Sequence, residues 1–184
     1  MRKFLFAAIL LALVAGKAEA QERESLKGSP FMDRVFVGGN LGASFGTIQY
    51  IYLAPVVGYR ITPKFSAGGG IIYQYTRDTR PPELTTHNYG ANLFARHTIY
   101  GPLFAQIEYE YLNFEYVTDY NGTEFLTDRQ GYNSVFLGGG IAQPLGRNAA
   151  LLVSAFYNLT YDSSQRISPY SRPWVFRVGI TAGF

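Results

Sequence analysis

Eight segments of this chain alternate apolar and polar side chains, and every charge within them falls on the same parity. Period two is the signature of β-strands, whose successive side chains point to opposite faces. The segments are Arg34 to Ser44, Tyr50 to Ile61, Phe65 to Tyr75, Asn88 to Ile99, Leu103 to Phe114, Ser134 to Gln143, Ala149 to Thr160, and Trp174 to Phe184. Each has about the 9–11 residues that a tilted strand needs to cross a bilayer. Past the N-terminus no apolar stretch reaches the roughly 20 residues of a spanning helix. A membrane role must therefore come from strands, closed so that no edge is left unpaired in hydrocarbon.

One face of these segments is apolar. It reads Val35, Val37 and Leu41, then Ile51, Leu53 and Val57, and continues through Ala67, Ile71, Ala91, Leu93, Ala105, Ile107, Val135, Leu137, Ile141, Leu151, Val153, Val178, Ile180 and Ala182. The other face carries Arg34, Arg60, Arg96, Glu108, Glu110 and Arg177, together with Asn40, Gln74, Asn92, Gln106, Ser154 and Thr181. A soluble barrel is expected to show the reverse, apolar inside and polar outside. Charge on a lipid face costs about 2–4 kcal/mol at the bilayer midplane, which accounts for the clean apolar register. The expected fold is thus all-β: a closed antiparallel up-and-down transmembrane barrel of eight strands over residues 33–184.

The connections carry a second signal. Thr62-Pro63-Lys64, Tyr100-Gly101-Pro102 and Pro144 to Asn148 are short and rich in turn formers. Between them lie longer polar stretches, Arg77 to Thr86, Val117 to Asn133 and Tyr161 to Pro173. Only the first long-side link, near Phe45 to Ile48, is short. Outer-membrane barrels have short periplasmic turns and longer external loops. The expected location is the outer membrane of a Gram-negative bacterium, with both chain ends in the periplasm.

Aromatics sort toward the strand ends. Tyr73, Tyr75, Tyr89, Tyr111, Tyr157 and Trp174 lie outward near the long-loop ends, and Tyr59 and Phe65 near the short turns, where Phe184 joins them. Two girdles at opposite ends are what interfacial anchoring in lipid requires. Tyr and Phe are also good strand formers, which explains their number but not their sorting. Inward glycines, among them Gly58, Gly68, Gly90 and Gly138, leave room for Tyr50, Tyr52, Phe94, Phe136 and Phe156 in an interior only wide enough for side chains.

The N-terminus reads as an export signal. Met1-Arg2-Lys3 precedes an apolar run from Phe4 to Ala15, and Ala18-Glu19-Ala20 supplies a small-residue cleavage site. Residues 1–20 are expected to be removed, and residues 21–32 to form a polar periplasmic lead-in. Without Arg2, Lys3, Lys17 and Glu19 the formal charge of +3 loses three positives and one negative, leaving about +1. That balance gives no reason to expect a nucleic-acid partner. The chain has no cysteine, so disulfides and thiol chemistry are excluded.

Together these features resemble the small eight-stranded outer-membrane barrels of the OmpA transmembrane-domain and OmpX type. The resemblance is one of architecture over the expected mature chain. Its most specific piece is the C-terminus, Arg177-Val178-Gly179-Ile180-Thr181-Ala182-Gly183-Phe184. It is similar to the family's terminal assembly signal, with Arg177, Gly179, Ala182 and Phe184 at the matching positions. The resemblance implies the barrel-insertion machinery as a partner during assembly and outer-membrane lipid as the surroundings. A monomer without cofactor or metal is expected, with loops available to an extracellular ligand.

For chemistry, Arg60, Arg96 and Arg177 with Glu108 and Glu110 are expected to form an internal ion network; the alternative is separate lumen groups that each meet trapped water. His87 and His97 lie near opposite ends of one strand and cannot share a metal. Some barrels of this type are lipid-modifying enzymes with His and Ser at the outer rim, but Tyr89 stands two residues after His87 and no Ser and Glu constellation accompanies it. Glu108 and Glu110 fit lumen filling better than a glycosidase pair. The leading reading is a non-enzymatic barrel that supports the envelope or presents loops. A narrow pore for small solutes and a lipid-modifying enzyme are the alternatives.

Overall fold

The computed structural model describes residues 30–165 and 167–183. The export signal, most of the lead-in and the terminal Phe184 lie outside the described residues. Eight strands follow one another: β1 (Val35–Ser44), β2 (Ile48–Arg60), β3 (Phe65–Asp78), β4 (Leu84–Tyr100), β5 (Leu103–Tyr120), β6 (Phe125–Pro144), β7 (Ala149–Asn158) and β8 (Trp174–Gly183). Each pairs antiparallel with the next, and β8 returns to β1, so the sheet closes. This is the up-and-down barrel that the alternation predicts.

The polarity is also as expected. Phe36, Phe94, Phe104 and Leu152 are buried toward the short turns, and Ala54, Ile72 and Leu112 form a buried cluster with Tyr52 against it. Asn92, Gln106, Glu108, Glu110 and Arg177 are buried with them. Leu41, Val57, Ile71, Leu93, Leu137, Val153 and Val178 lie exposed on the outside.

Three expectations are corrected. Arg34, assigned to the first strand, ends a helical turn, Phe31–Arg34, that leads into β1. Its guanidinium Nη1 donates to the Tyr59 hydroxyl at 3.3 Å. Next, much of Arg77 to Thr86 and Val117 to Asn133 is strand rather than loop. The β5–β6 ladder continues from Asn113↔Gly131 to Tyr120↔Phe125 before it turns at residues 121–124. These segments are polar on both faces, which reads as loop, yet polar cross-strand pairs hold them as a ribbon beyond the barrel wall. Arg129 bonds Glu115 at 3.0 Å, and Thr127 Oγ1 donates to the same carboxylate at 3.0 Å. Finally, strand charges are not confined to the inward parity. Glu115 and Arg129 share the parity of Tyr111 and Leu137, and they lie past the tyrosine level, where Arg129 sits 5.0 Å over the Tyr89 ring.

The short turns follow from their residues. Gly101 takes a φ of 53° between β4 and β5, a left-handed conformation that glycine adopts without steric cost. Between them, closure at the β1–β8 seam is partial. Pairing runs from Phe36↔Gly183 to Asn40↔Gly179, whereas β7 and β8 pair from Ala149↔Ala182 to Tyr157↔Trp174.

Curvature is set by close backbone approach. At Gly138, opposite Phe156, an added Cβ would lie 2.1 Å from the Ala155 carbonyl oxygen and 2.7 Å from the Phe156 Cα. Backbone cannot yield there as a flexible side chain could. Gly138→Ala is therefore expected to destabilise the barrel by about 1–3 kcal/mol, the usual cost of overpacking. Gly146→Ala, in a turn with nothing within 4 Å of the added atom, is expected to stay within about 0.5 kcal/mol of wild type. Urea unfolding of the refolded protein measures both, and equal losses would place the constraint elsewhere.

Candidate functional site in the barrel lumen

Arg177 is the centre of the interior. It stands on β8 with 7% of its surface exposed, facing β5 across the lumen. Its Nη1 donates to Glu108 Oε1 at 2.6 Å, and its Nη2 lies 3.5 Å from Glu110 Oε2. Glu108 and Glu110 are two apart on β5, so both carboxylates point inward. The guanidinium is also flanked by aromatic faces, with Phe136 at 5.0 Å and Phe156 at 5.1 Å. Such placement favours arginine over lysine, because a planar and weakly hydrated cation can bond in its plane and stack on its faces.

Glu108 is satisfied on both oxygens. Asn92 Nδ2 donates to Oε1 at 3.0 Å, and Gln106 Nε2 donates to Oε2 at 2.9 Å. Arg96 reaches the chain one step removed, since its Nε donates to Gln106 Oε1 at 2.8 Å. The guanidinium of Arg96 lies 4.6 Å over Phe104 and 5.4 Å over Phe94. Within the expected ion network, the Arg96 and Glu108 side chains thus communicate through an amide and not as a direct ion pair. The Arg96↔Gln106 cross-strand pairing explains why: the amide sits directly opposite the arginine and intercepts it.

Arg60 lies elsewhere. It is near the short turns, where Nη1 donates to the Asp33 carbonyl at 3.3 Å and the guanidinium lies 5.9 Å from the Phe36 ring centre. The structure therefore brings Arg96, Glu108, Glu110 and Arg177 together and sets Arg60 apart at the barrel's end. Of the terminal signal positions, Arg177 points inward to this cluster. Gly179 passes beside Asn40, whose Oδ1 would be 2.5 Å from an added Cβ, and Ala182 pairs with Val37 and Ala149.

Tyr170 is the member that strand periodicity does not reveal. It lies in the connection between β7 and β8, and its hydroxyl donates to Glu110 Oε1 while its ring meets Phe136 edge-on at 5.3 Å. Loops carry no parity, so only its aromatic character distinguished it in sequence. Above it lies a vestibule of about 730 Å³ bounded by residues that include Tyr50, Gln74, Tyr116, Tyr170 and Trp174. Below the charges remains a space of about 30 Å³ beside Phe36, Asn92 and Arg96, enough for about one water.

The aromatic positions divide between the two ends. Tyr73, Tyr89, Tyr111, Tyr157 and Trp174 are exposed, and Tyr75 is half-buried against His87 at 5.4 Å. Tyr157 and Trp174 meet edge-on at 5.1 Å, and the Tyr73 hydroxyl lies 2.9 Å from His87 Nδ1. At the other end Tyr59 stacks on Phe31 at 5.2 Å and Phe65 approaches His97 at 6.5 Å. Beyond the long-loop aromatics, Arg80 bonds Asp78 through side chain and backbone and holds its carboxyl down to about 2. Among the described residues no group of three or more His, Cys, Asp or Glu could hold a metal ion.

Removing one partner of a buried pair leaves the other uncompensated, at about 3–5 kcal/mol. Arg177→Ala and Glu108→Ala are each expected to lose that much, with the double variant losing clearly less than the sum. The corresponding cycle for Arg96 and Glu108 is expected to show weaker coupling, because Gln106 stands between them. Urea unfolding of the three single variants and the two doubles measures this; equal coupling in both cycles would contradict the relay.

No family model matches this sequence. No curated protein matches it either. Among solved structures, the crystal structure of the N-terminal β-barrel domain of Pseudomonas aeruginosa OprF is similar, with a TM-score of 0.49 and 13% sequence identity over 83% of this chain and 98% of that one. The closure and registers described above rest on this chain's own strand pairing.

Proposed function

We propose that this protein is a non-enzymatic outer-membrane β-barrel of a Gram-negative bacterium, with a plugged lumen, that supports the envelope and presents its long connections at the cell surface. The observation that carries this reading is the inverted polarity of the barrel. Its exterior is an apolar band between aromatic levels, and its charges are buried inside. In water that arrangement would expose the apolar face and bury the costly groups, whereas in lipid both placements are favourable. The aromatic positions give the band its edges, and the Glu115–Arg129 pair lies just past one of them.

The plug supports a structural role over transport. Two guanidinium groups and two carboxylates cross-link β4, β5 and β8 through the interior, with Tyr170 closing over them. Chemistry on a substrate would need reactive groups with free access. Here the buried acids are occupied by arginine, amide and phenol partners. What remains available to a partner is the long-loop end, with the β5–β6 ribbon and the connection between Asn158 and Trp174.

In refolded vesicles, Leu93→Arg and Leu137→Arg are expected to destabilise the barrel by about 2–4 kcal/mol, as a charge in the lipid midplane does. Gln74→Arg, on the inward register and facing the vestibule, is expected to cost less. A reversed order would reject lipid as the medium outside. For sidedness, a tag inserted at Asn121-Gly122 should be labelled on intact cells, and a tag at Pro63 should not. Labelling at Pro63 alone would invert the topology.

A further inference from the structure

The β1–β8 seam is paired only toward the short turns. Its register ends at Asn40↔Gly179, and continued by one step it would set Leu41 opposite Val178. Among the described residues, no strand pairing joins Leu41–Ser44 to Trp174–Val178. Each strand is instead held by its other neighbour. The long-loop half of β1 pairs with β2 through Ser44↔Tyr50, at a tight hairpin. The start of β8 is tied to β7, where Asn158 N donates to the Pro173 carbonyl at 2.8 Å and Tyr157 meets Trp174.

Two spaces meet at this gap. One, of about 180 Å³, runs inward from Leu41, Phe176 and Val178 to Tyr50, Tyr52 and Tyr170. The other is a groove of about 380 Å³ on the outer face, floored by Gly38 and Gly39 and walled by Leu41, Leu53, Pro55 and Ile180. Asn40 and Leu41 border both. The inner space is comparable to the roughly 150 Å³ apolar cavity that admits a benzene ring. Its mouth lies in the apolar band, with Leu41 66% and Phe176 78% exposed, but its rear carries Asn40, Gln74, the three tyrosines and Arg177.

We propose that this half-seam is a lateral portal that binds a single-chain amphiphile from the surrounding leaflet. The acyl chain lies in the outer groove, and the polar head passes between Leu41 and Val178 to Tyr50, Tyr52 and Gln74. The inference rests on the membrane reading above, because hydrocarbon outside the groove is what presents such a molecule. Three features select this occupant. The groove walls are almost wholly apolar, which suits a chain and not a soluble solute. The rear of the inner space offers hydroxyl and amide groups, which suit a head such as a carboxylate. Among the described residues the two strand ends have no ladder partner across the seam, which is costly in hydrocarbon, and they gain polar neighbours when a head occupies the gap.

Two photoreactive fatty acids test this in vesicles containing the refolded protein, one with a diazirine next to the carboxyl group and one with it near the chain end. The tail probe is expected to label Leu53 and Ile180, and the head probe Tyr52 and Tyr170, as read by mass spectrometry. The chain lacks cysteine. Leu41→Cys with Val178→Cys, bridged across the mouth by a short bis-maleimide after folding, is expected to bring Tyr52 and Tyr170 labelling to background and leave Leu53 labelled. Gly42→Phe, which fills the inner space beside Tyr50 and Tyr52 without a bridge, is expected to do the same; an added Cβ there is 3.5 Å from the nearest side-chain atom. Labelling of Leu53 without Tyr52 or Tyr170 overturns the portal while leaving the membrane reading intact. Head labelling that persists in both blocked variants also overturns it and assigns access to the vestibule. Absence of label at Leu53 and Ile180 as well overturns the membrane reading itself.

Discussion

An interior only wide enough for side chains cannot solvate a charge as bulk water does, so each buried charge must find its counter-charge inside the barrel. Arg177 meets that constraint for two carboxylates at once, and Gln106 passes the remaining link to Arg96. The contacts join strands that the sheet itself does not pair, since β8 and β5 lie on different parts of the wall. The cluster therefore adds a crosspiece to a structure otherwise held by neighbour-to-neighbour backbone bonds. Its aromatic surroundings, Phe136 and Phe156 around Arg177 and Phe94 and Phe104 beneath Arg96, exclude water and strengthen the same charge-assisted bonds.

The same constraint separates the two halves of the lumen. Toward the short turns the interior is filled by phenyl rings and aliphatic side chains, and Gly138 shows how closely the wall approaches itself. Toward the long loops it widens into a vestibule, and the wall is incompletely zipped at β1 and β8. Tyr170 stands at the boundary, touching the charges on one side and lining the vestibule on the other. A plugged base, an accessible upper chamber and a half-open seam are thus consequences of where the charges lie and where the last strand pairs.

Strand number, closure, order and facing were legible in the sequence because each is a consequence of period two. A one-residue slip would have placed Glu108, Glu110 and Arg177 in the apolar band. Strand length was less legible. Past Tyr111 and Tyr89 both faces of the ribbon meet water, so alternation vanishes although the backbone ladder persists, as at Glu115 and Arg129. Charge pairing was legible only in part. Parity shows which side chains share the lumen, but the register decides that Arg96 faces Gln106, and barrel geometry decides that Arg60 stays at the end. Tyr170 and the incomplete β1–β8 seam depend on contacts between distant segments and leave no periodic trace.

Closure of the lumen by the Arg177 cluster has a direct electrical consequence. Single-channel recording in planar bilayers reads that consequence, with wild type compared to Arg177→Ala and to Glu108→Gln. Wild type is expected to show no steady conductance, and removal of Arg177 is expected to give a stable, ohmic current. A steady wild-type current that neither substitution changes would mean that ions pass the cluster freely, and the barrel would then be a pore.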